Sequence, residues 1–171
     1  RLNLIGAAQP DLRDNAWRAL LERARRLNWH VEVHVALAAL PKVGQAIVDS
    51  GCPLVVDHFG RPGASDDAGL HWLLQSARSG RVWVKLSAGY RNWPPGSPMA
   101  ATAATQLLAH FGGERLVWGS DWPHTQHRDL ASFAGSLDAL ARWVPDDAAR
   151  HAILVDTPYQ LFRFSSGDND E

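Results

Sequence analysis

Apolar and polar positions change period repeatedly along this chain, and the changes mark alternating strands and helices. Val31-Glu32-Val33-His34-Val35 alternates with a period of two, the pattern of a strand with one buried face. Val82-Trp83-Val84-Lys85-Leu86-Ser87 does the same. Leu2-Asn3-Leu4-Ile5, Leu54-Val55-Val56 and Leu116-Val117-Trp118 are short apolar runs bounded by glycine or proline, and they predict three further strands. Between them the spacing becomes helical. Trp17, Leu20, Leu21, Ala24 and Leu27 recur on one helix face behind Asp14, a predicted cap. Val43, Ala46 and Ile47 predict a short helix stopped at Ser50-Gly51. After a loop from Arg61 to Asp67, Leu70, Leu73, Leu74 and Ala77 mark a third helix, closed by Gly80. A proline-rich loop, Asn92 to Pro98, leads to a helix ending at Phe111-Gly112. Helices are also expected over Leu130–Trp143, Asp146–Val155 and Asp156–Phe162, before a polar, disordered tail at 165–171.

Five strands, each followed by a helix at spacings of roughly 20–35 residues, predict a parallel sheet with right-handed crossovers. Periodicity leaves two architectures open. One is part of an eight-stranded β/α barrel, a fold of about 250 residues; the other is a five-stranded doubly wound sheet. A doubly wound nucleotide binder carries a glycine-rich turn after its first strand, and Gly6-Ala7-Ala8-Gln9-Pro10 is not one.

Composition narrows the class. The 171 residues are 46% hydrophobic and 20% charged, as in ordinary globular domains, and suffice for one domain. A net charge of −1 gives no pointer to nucleic acid or an acidic membrane, so neither is expected as a partner. Arg23, Arg25 and Arg26 read as a solvated helix face. A single cysteine, Cys52, rules out an internal disulfide and agrees with an expected cytoplasmic location. No apolar run approaches the ~20 residues of a membrane span. The chain opens on Arg1 and its one methionine is Met99, so a preceding segment is expected.

Polar residues gather at the carboxyl ends of the predicted strands, the edge where barrels and open α/β sheets place active sites. Asn3, His34, His58, Ser87 with Tyr90-Arg91, and Asp121 with His124 and His127 all fall there. Asp57 and His58 are adjacent on a strand and are expected to point to opposite faces. His58 is taken as the inward one, because a neutral imidazole tolerates burial better than a carboxylate. His124 and His127 are expected to be exposed on a loop. An arginine, imidazoles and a carboxylate converging on one mouth suit hydrolysis of an anionic substrate. Arg91 can hold a carboxylate in a bidentate pair, His58 can polarise a carbonyl, and Asp121 can take a proton from water.

Together the segments VDHFGRP (56–62), VKLSAGYR (84–91), ERLVWGSDWPH (114–124) and DTPYQLFRF (156–164) resemble the amidohydrolase superfamily of the amidohydrolase 2 type. Within it they are most similar to the branch of 2-pyrone-4,6-dicarboxylate lactonase and related sugar-lactone hydrolases. The resemblance covers Arg1 to about Phe164 and implies a (β/α)8 TIM barrel, of which residues 1–164 supply strands four to eight. It implies a hydrolase that opens a lactone, a cyclic ester, on a small carboxylated substrate by attack of water.

Carried over by position, Asp121 matches the aspartate that activates water and His58 the histidine that polarises the lactone carbonyl. Arg91 and Arg1 match arginines of the substrate pocket, and His34 stands where the dicarboxylate lactonase has a tyrosine. That departure points away from the pyrone dicarboxylate itself but stays within lactones and esters. The branch's His-x-His pair has no counterpart in this sequence and is expected upstream. The branch implies no required cofactor. The wider superfamily uses divalent metals such as zinc, which Asp121, His58 and His34 would hold.

Two other readings stay open: a metal-dependent hydrolase or decarboxylase of the same superfamily, and a catalytically silent half-barrel or fragment. Unpaired edges at Leu2–Ile5 and Leu116–Ser120 predict self-association of this chain.

Overall fold

Five short runs of β-branched and aliphatic residues form the strands β1 (Leu2–Asn3), β2 (Val31–His34), β3 (Leu54–Val56), β4 (Val82–Leu86) and β5 (Leu116–Trp118). The computed structural model describes residues 1–63 and 67–164. The tail expected to be disordered, 165–171, lies outside the described residues, as do residues 64–66 of the loop after Arg61. The helices are α1 (Asn15–Arg26), α2 (Leu40–Asp49), α3 (Asp67–Ser76), α4 (Met99–Phe111), α5 (Phe133–Trp143), α6 (Asp147–His151) and α7 (Thr157–Phe162). A π-helical turn, Ala152–Asp156, joins the last two. Asp14 caps α1 as predicted, accepting from the Trp17 amide at 2.9 Å. Ser132 and Asp146 cap α5 and α6 in the same way.

The strands form one parallel sheet in the order β1-β2-β3-β4-β5. Val33 pairs with Val56, Val56 with Val84, and Val84 with Leu116, so one row of aliphatic side chains crosses β2 to β5. That row packs against Leu21 of α1, Leu40, Val43 and Ile47 of α2, Leu73 of α3, Leu107 and Phe111 of α4, and Leu140 of α5. Each such buried aliphatic side chain stabilises the fold by about 1.5–3 kcal/mol. All the longer helices therefore share one core on one face of the sheet.

The doubly wound alternative is corrected by this topology. Such a sheet grows in two directions from its first strand and carries helices on both faces. Here the order is sequential and the helix-covered face is single. Hydrophobic periodicity cannot register the difference, because both architectures bury strands and helices with the same local patterns.

The opposite face follows from the same alternation. Glu32 and His34 of β2, Asp57 after β3, Lys85 and Ser87 of and after β4, and Gly119 after β5 occupy positions of opposite parity to the core row. The first strand is shorter than predicted, Leu2–Asn3, although the Leu4 amide still donates to the His34 carbonyl at 2.8 Å. Among the described residues β1 pairs only with β2, and β5 only with β4. Among the described residues no helix is long and apolar enough to cross a membrane.

Candidate active site

The chain leaves each of the last three strands through left-handed backbone at residues other than glycine. His58 (φ 51°), Phe59 (φ 59°) and Arg61 (φ 53°) follow β3, Ala88 (φ 49°) follows β4, and Asp121 (φ 60°) and His124 (φ 54°) follow β5. Such conformations cost of order 1–3 kcal/mol each and persist where the surroundings over-determine them, typically at functional sites. Here they aim side chains from three strand ends at one another.

Asp121 is the centre of that convergence. Its Oδ2 accepts from the Tyr90 hydroxyl at 2.5 Å and from Arg91 Nε at 2.7 Å. Its Oδ1 faces His58 Nε2 at 3.5 Å. Burial would raise the Asp121 carboxyl. The hydrogen bonds from Tyr90 and Arg91, with the charges of His58 and Arg91, outweigh that effect and hold it below the usual carboxylate range. Tyr90 is pushed up, first by burial and then by its bond to Asp121.

His58 is buried, and its Nδ1 lies 2.7 Å from Ser87 Oγ. Burial pushes its pKa down to about 4, against the opposing charges of Asp57 and Asp121, so the ring is neutral near pH 7. The His34 ring meets it edge to face, with centroids 4.8 Å apart. Burial lowers the His34 pKa as well.

The structure corrects the expectation that His58 alone turns inward. The strand ends at Val56, and with φ at +51° His58 no longer obeys strand alternation. Asp57 and His58 are both buried, and ligand atoms of His34, Asp57 and His58 lie within 4.8 Å of one another. The buried carboxylate is stabilised by cations. Lys85 Nζ lies 2.8 Å from Asp57 Oδ1 and 2.6 Å from Glu32 Oε2. Arg1 reaches Asp57 Oδ2 at 2.5 Å through Nη2 and Glu32 Oε1 at 2.9 Å through Nε. These four groups close a ring of alternating charge. Burial would raise the Asp57 carboxyl, but Lys85 above all, then His58 and Arg1, bring it below its ordinary value.

Glycine at 119 makes room for this ring, since a Cβ there would sit 3.0 Å from Lys85 Cδ.

His124 is also corrected: it is buried, with Nε2 3.1 Å from the Ser120 carbonyl. His127 is half-buried and packs its ring on Tyr90, centroids 5.2 Å apart.

The predicted residues Asp121, His58, His34 and Arg91 thus come together at one end of the sheet, and Arg1 joins through Asp57. Arg91 commits two of its nitrogens within the protein, Nε to Asp121 and Nη2 to the Thr125 carbonyl at 2.9 Å. Arg1 is committed to Glu32 and Asp57, yet its side chain remains half exposed. Sequence reasoning missed Glu32, Asp57 and Lys85 and gave Tyr90 and Ser87 no partner. A signal was available: Glu32, His34, Lys85 and Ser87 share one parity on strands whose other parity is wholly aliphatic, and charges on such a face must pair.

His34 Nε2 is buried and has no hydrogen-bond partner among the described residues. It is suited to a ligand or metal, as is the neutral His58 beside it; Asp57, committed to two cations, is the poorer third donor. A separate cleft of about 500 Å³ runs behind Tyr90 between Trp93, Trp143 and Ser132, without reaching Asp121 or His58.

This geometry belongs to a known group. The amidohydrolase family profile matches residues 1–164. The chain belongs to the amidohydrolase family. It is 35% identical over 147 residues to the 4-sulfomuconolactone hydrolase of Rhizobium radiobacter, covering 81% of this chain and 48% of that protein. It therefore spans about half the length of the curated relatives it matches. A crystal structure from Pseudomonas putida, named as a candidate 2-pyrone-4,6-dicarboxylic acid hydrolase, superposes with a TM-score of 0.87 at 42% identity. That match covers 96% of this chain and 62% of the other. An amidohydrolase from Burkholderia multivorans with zinc bound gives a TM-score of 0.75 at 26% identity, covering 92% of this chain and 62% of that one.

Proposed function

We propose that this chain supplies strands four to eight of a (β/α)8 barrel and carries the water-activating half of a lactone hydrolase. The observation that carries the reading is the single-sided grip on Asp121. Tyr90 and Arg91 hold Oδ2, leaving Oδ1 directed at His58 Nε2 at 3.5 Å. The sequential parallel sheet with helices packed on one face and polar side chains on the other supports the barrel arc, and relatives named as lactone hydrolases support the substrate class.

In this reading Asp121 Oδ1 takes a proton from water as the hydroxide adds to the lactone carbonyl carbon. His58 hydrogen-bonds to the carbonyl oxygen and stabilises the charge that develops there. Collapse of the tetrahedral intermediate breaks the ring C–O bond, and the proton on Asp121 passes to the departing alkoxide. The products are a hydroxyl and a carboxylic acid on one open chain, and the acid then releases its proton to solvent. The Arg91 nitrogen without a protein partner among the described residues and the exposed part of Arg1 give a carboxylated substrate two cationic anchors. A bound divalent metal, held by His34, His58 and Asp121, would add Lewis-acid activation of the carbonyl and of water.

The test is Asp121→Asn in the intact protein, followed by ring-opening acid release on a panel of carboxylated lactones. Asparagine can still accept from Tyr90 and Arg91, so folding should be retained while kcat falls by roughly 10²–10⁴. A fall of only a few fold would remove Asp121 as the base.

A further inference from the structure

Ser87 and His58 are both almost fully buried, and the 2.7 Å contact between Ser87 Oγ and His58 Nδ1 joins two strand ends. A neutral imidazole carries one proton, on either nitrogen, and the partner of the other nitrogen decides which. We propose that Ser87 is a positioning residue: it donates its hydroxyl proton to His58 Nδ1 and holds the imidazole with its own proton on Nε2, the nitrogen that faces Asp121.

Two independent observations lead to this tautomer. The first is the hydroxyl. Among the described residues Ser87 Oγ has one polar partner, His58 Nδ1, and a buried O–H without an acceptor is strongly disfavoured. Were Nδ1 protonated instead, it would donate to Ser87 and leave the serine proton without a protein acceptor among the described residues. The second is the other edge of the ring. Nε2 lies 3.5 Å from Asp121 Oδ1, and Oδ2 of the same side chain accepts from both Tyr90 and Arg91, as a carboxylate does. A nitrogen lone pair aimed at a carboxylate oxygen is repelled, whereas an N–H is attracted. Both edges of the ring therefore favour the same proton position.

The consequence deepens the lactone-opening reading and rests on it: a lactone carbonyl is polarised by a donor, and only the Nε2–H tautomer presents one beside Asp121. Ser87 touches neither water nor lactone in this scheme. It acts through His58, by fixing which nitrogen carries the proton and by preventing the ring from turning. Its position follows from the sequence, since Ser87 continues the parity of Lys85 past the end of β4 and so lies on the polar face of the sheet.

The test is ¹⁵N NMR of the histidine side chains in the intact protein near pH 7, with the His58 signals assigned by their loss in His58→Gln. The expected wild-type pattern is a protonated Nε2 and an unprotonated Nδ1 displaced by hydrogen-bond acceptance. In Ser87→Ala, Nδ1 should move to the position of a free acceptor, and kcat should fall roughly 10- to 100-fold with little change in KM. A wild-type pattern with the proton on Nδ1 would overturn the proposal without any variant. So would a folded Ser87→Ala protein whose Nδ1 signal has not moved. The nitrogen signals do not depend on turnover. An inactive wild type with the expected pattern would sink the lactonase reading and leave the tautomer assignment standing.

Discussion

Replacing Lys85 with methionine removes the cation that bridges the Asp57 and Glu32 carboxylates on the polar face of the sheet. Asp57 has a fully buried side chain and lies 2.8 Å from Lys85 Nζ; Glu32 lies 2.6 Å away. Breaking one partner from a buried pair typically costs 3–5 kcal/mol, because the remaining charge is left uncompensated. Two features reduce that figure here. Arg1 still reaches Asp57 at 2.5 Å, and the Lys85 side chain is 17% exposed, so some solvent screens the pair. A loss of about 2–3 kcal/mol is therefore expected, equivalent to roughly 4–12 °C in Tm for a chain of this size. The assay is urea or thermal unfolding followed by circular dichroism. The double variant Lys85→Met/Asp57→Asn removes the stranded charge and should recover part of the loss. The pH dependence carries a sign. Asp57 is held below its ordinary pKa, so its ion pairs stabilise the fold above the ordinary carboxylate range and lose that contribution as pH falls through the depressed value. The gap between wild type and Lys85→Met should be widest near pH 7 and narrow below about pH 4. A Lys85→Met protein within about 0.5 kcal/mol of wild type, the level of an ordinary surface change, would refute the closed charge ring.

Arg91→Met should raise KM for carboxylated lactones more than for neutral ones and also lower kcat for both, because Asp121 loses its Nε donor; equal KM effects would make Arg91 purely structural. Dialysis of the intact protein against a chelator should leave turnover unchanged, and loss of activity restored by zinc would transfer the mechanism to a metal held at His34 and His58. Residues 1–171 alone carry two strands that pair on one side only, so this polypeptide should self-associate in size-exclusion chromatography; a monodisperse, cooperatively unfolding monomer would contradict that expectation.

Much of the site is legible in the residues because its pieces end strands. Val117-Trp118-Gly119-Ser120-Asp121 and Leu54-Val55-Val56-Asp57-His58 each announce an apolar run stopped by polar groups, and the structure brings Asp121 and His58 within 3.5 Å. The assignment of Asp57 to the outside failed for a specific reason. Alternation holds only while φ and ψ remain extended, and the left-handed turn at His58 breaks it one residue after the strand. His124 was misplaced in the same way, since a left-handed residue in a loop can turn a side chain back under the chain.

The sequence by itself determined the parallel α/β class, the number and order of elements, the cap at Asp14, and the edge of the sheet where the chemistry gathers. Those properties rest on local periodicity and on turn and cap chemistry, which neighbours a few residues away decide. The tertiary structure decided the strand order, the sharing of Asp121 among Tyr90, Arg91 and His58, and the ring of Arg1, Glu32, Asp57 and Lys85. Each of these joins residues more than 20 positions apart in the chain, as in the Arg1–Asp57, Glu32–Lys85 and His58–Asp121 contacts. Hydrophobic periodicity says which face such a residue takes; only the register between strands says which charge it meets there.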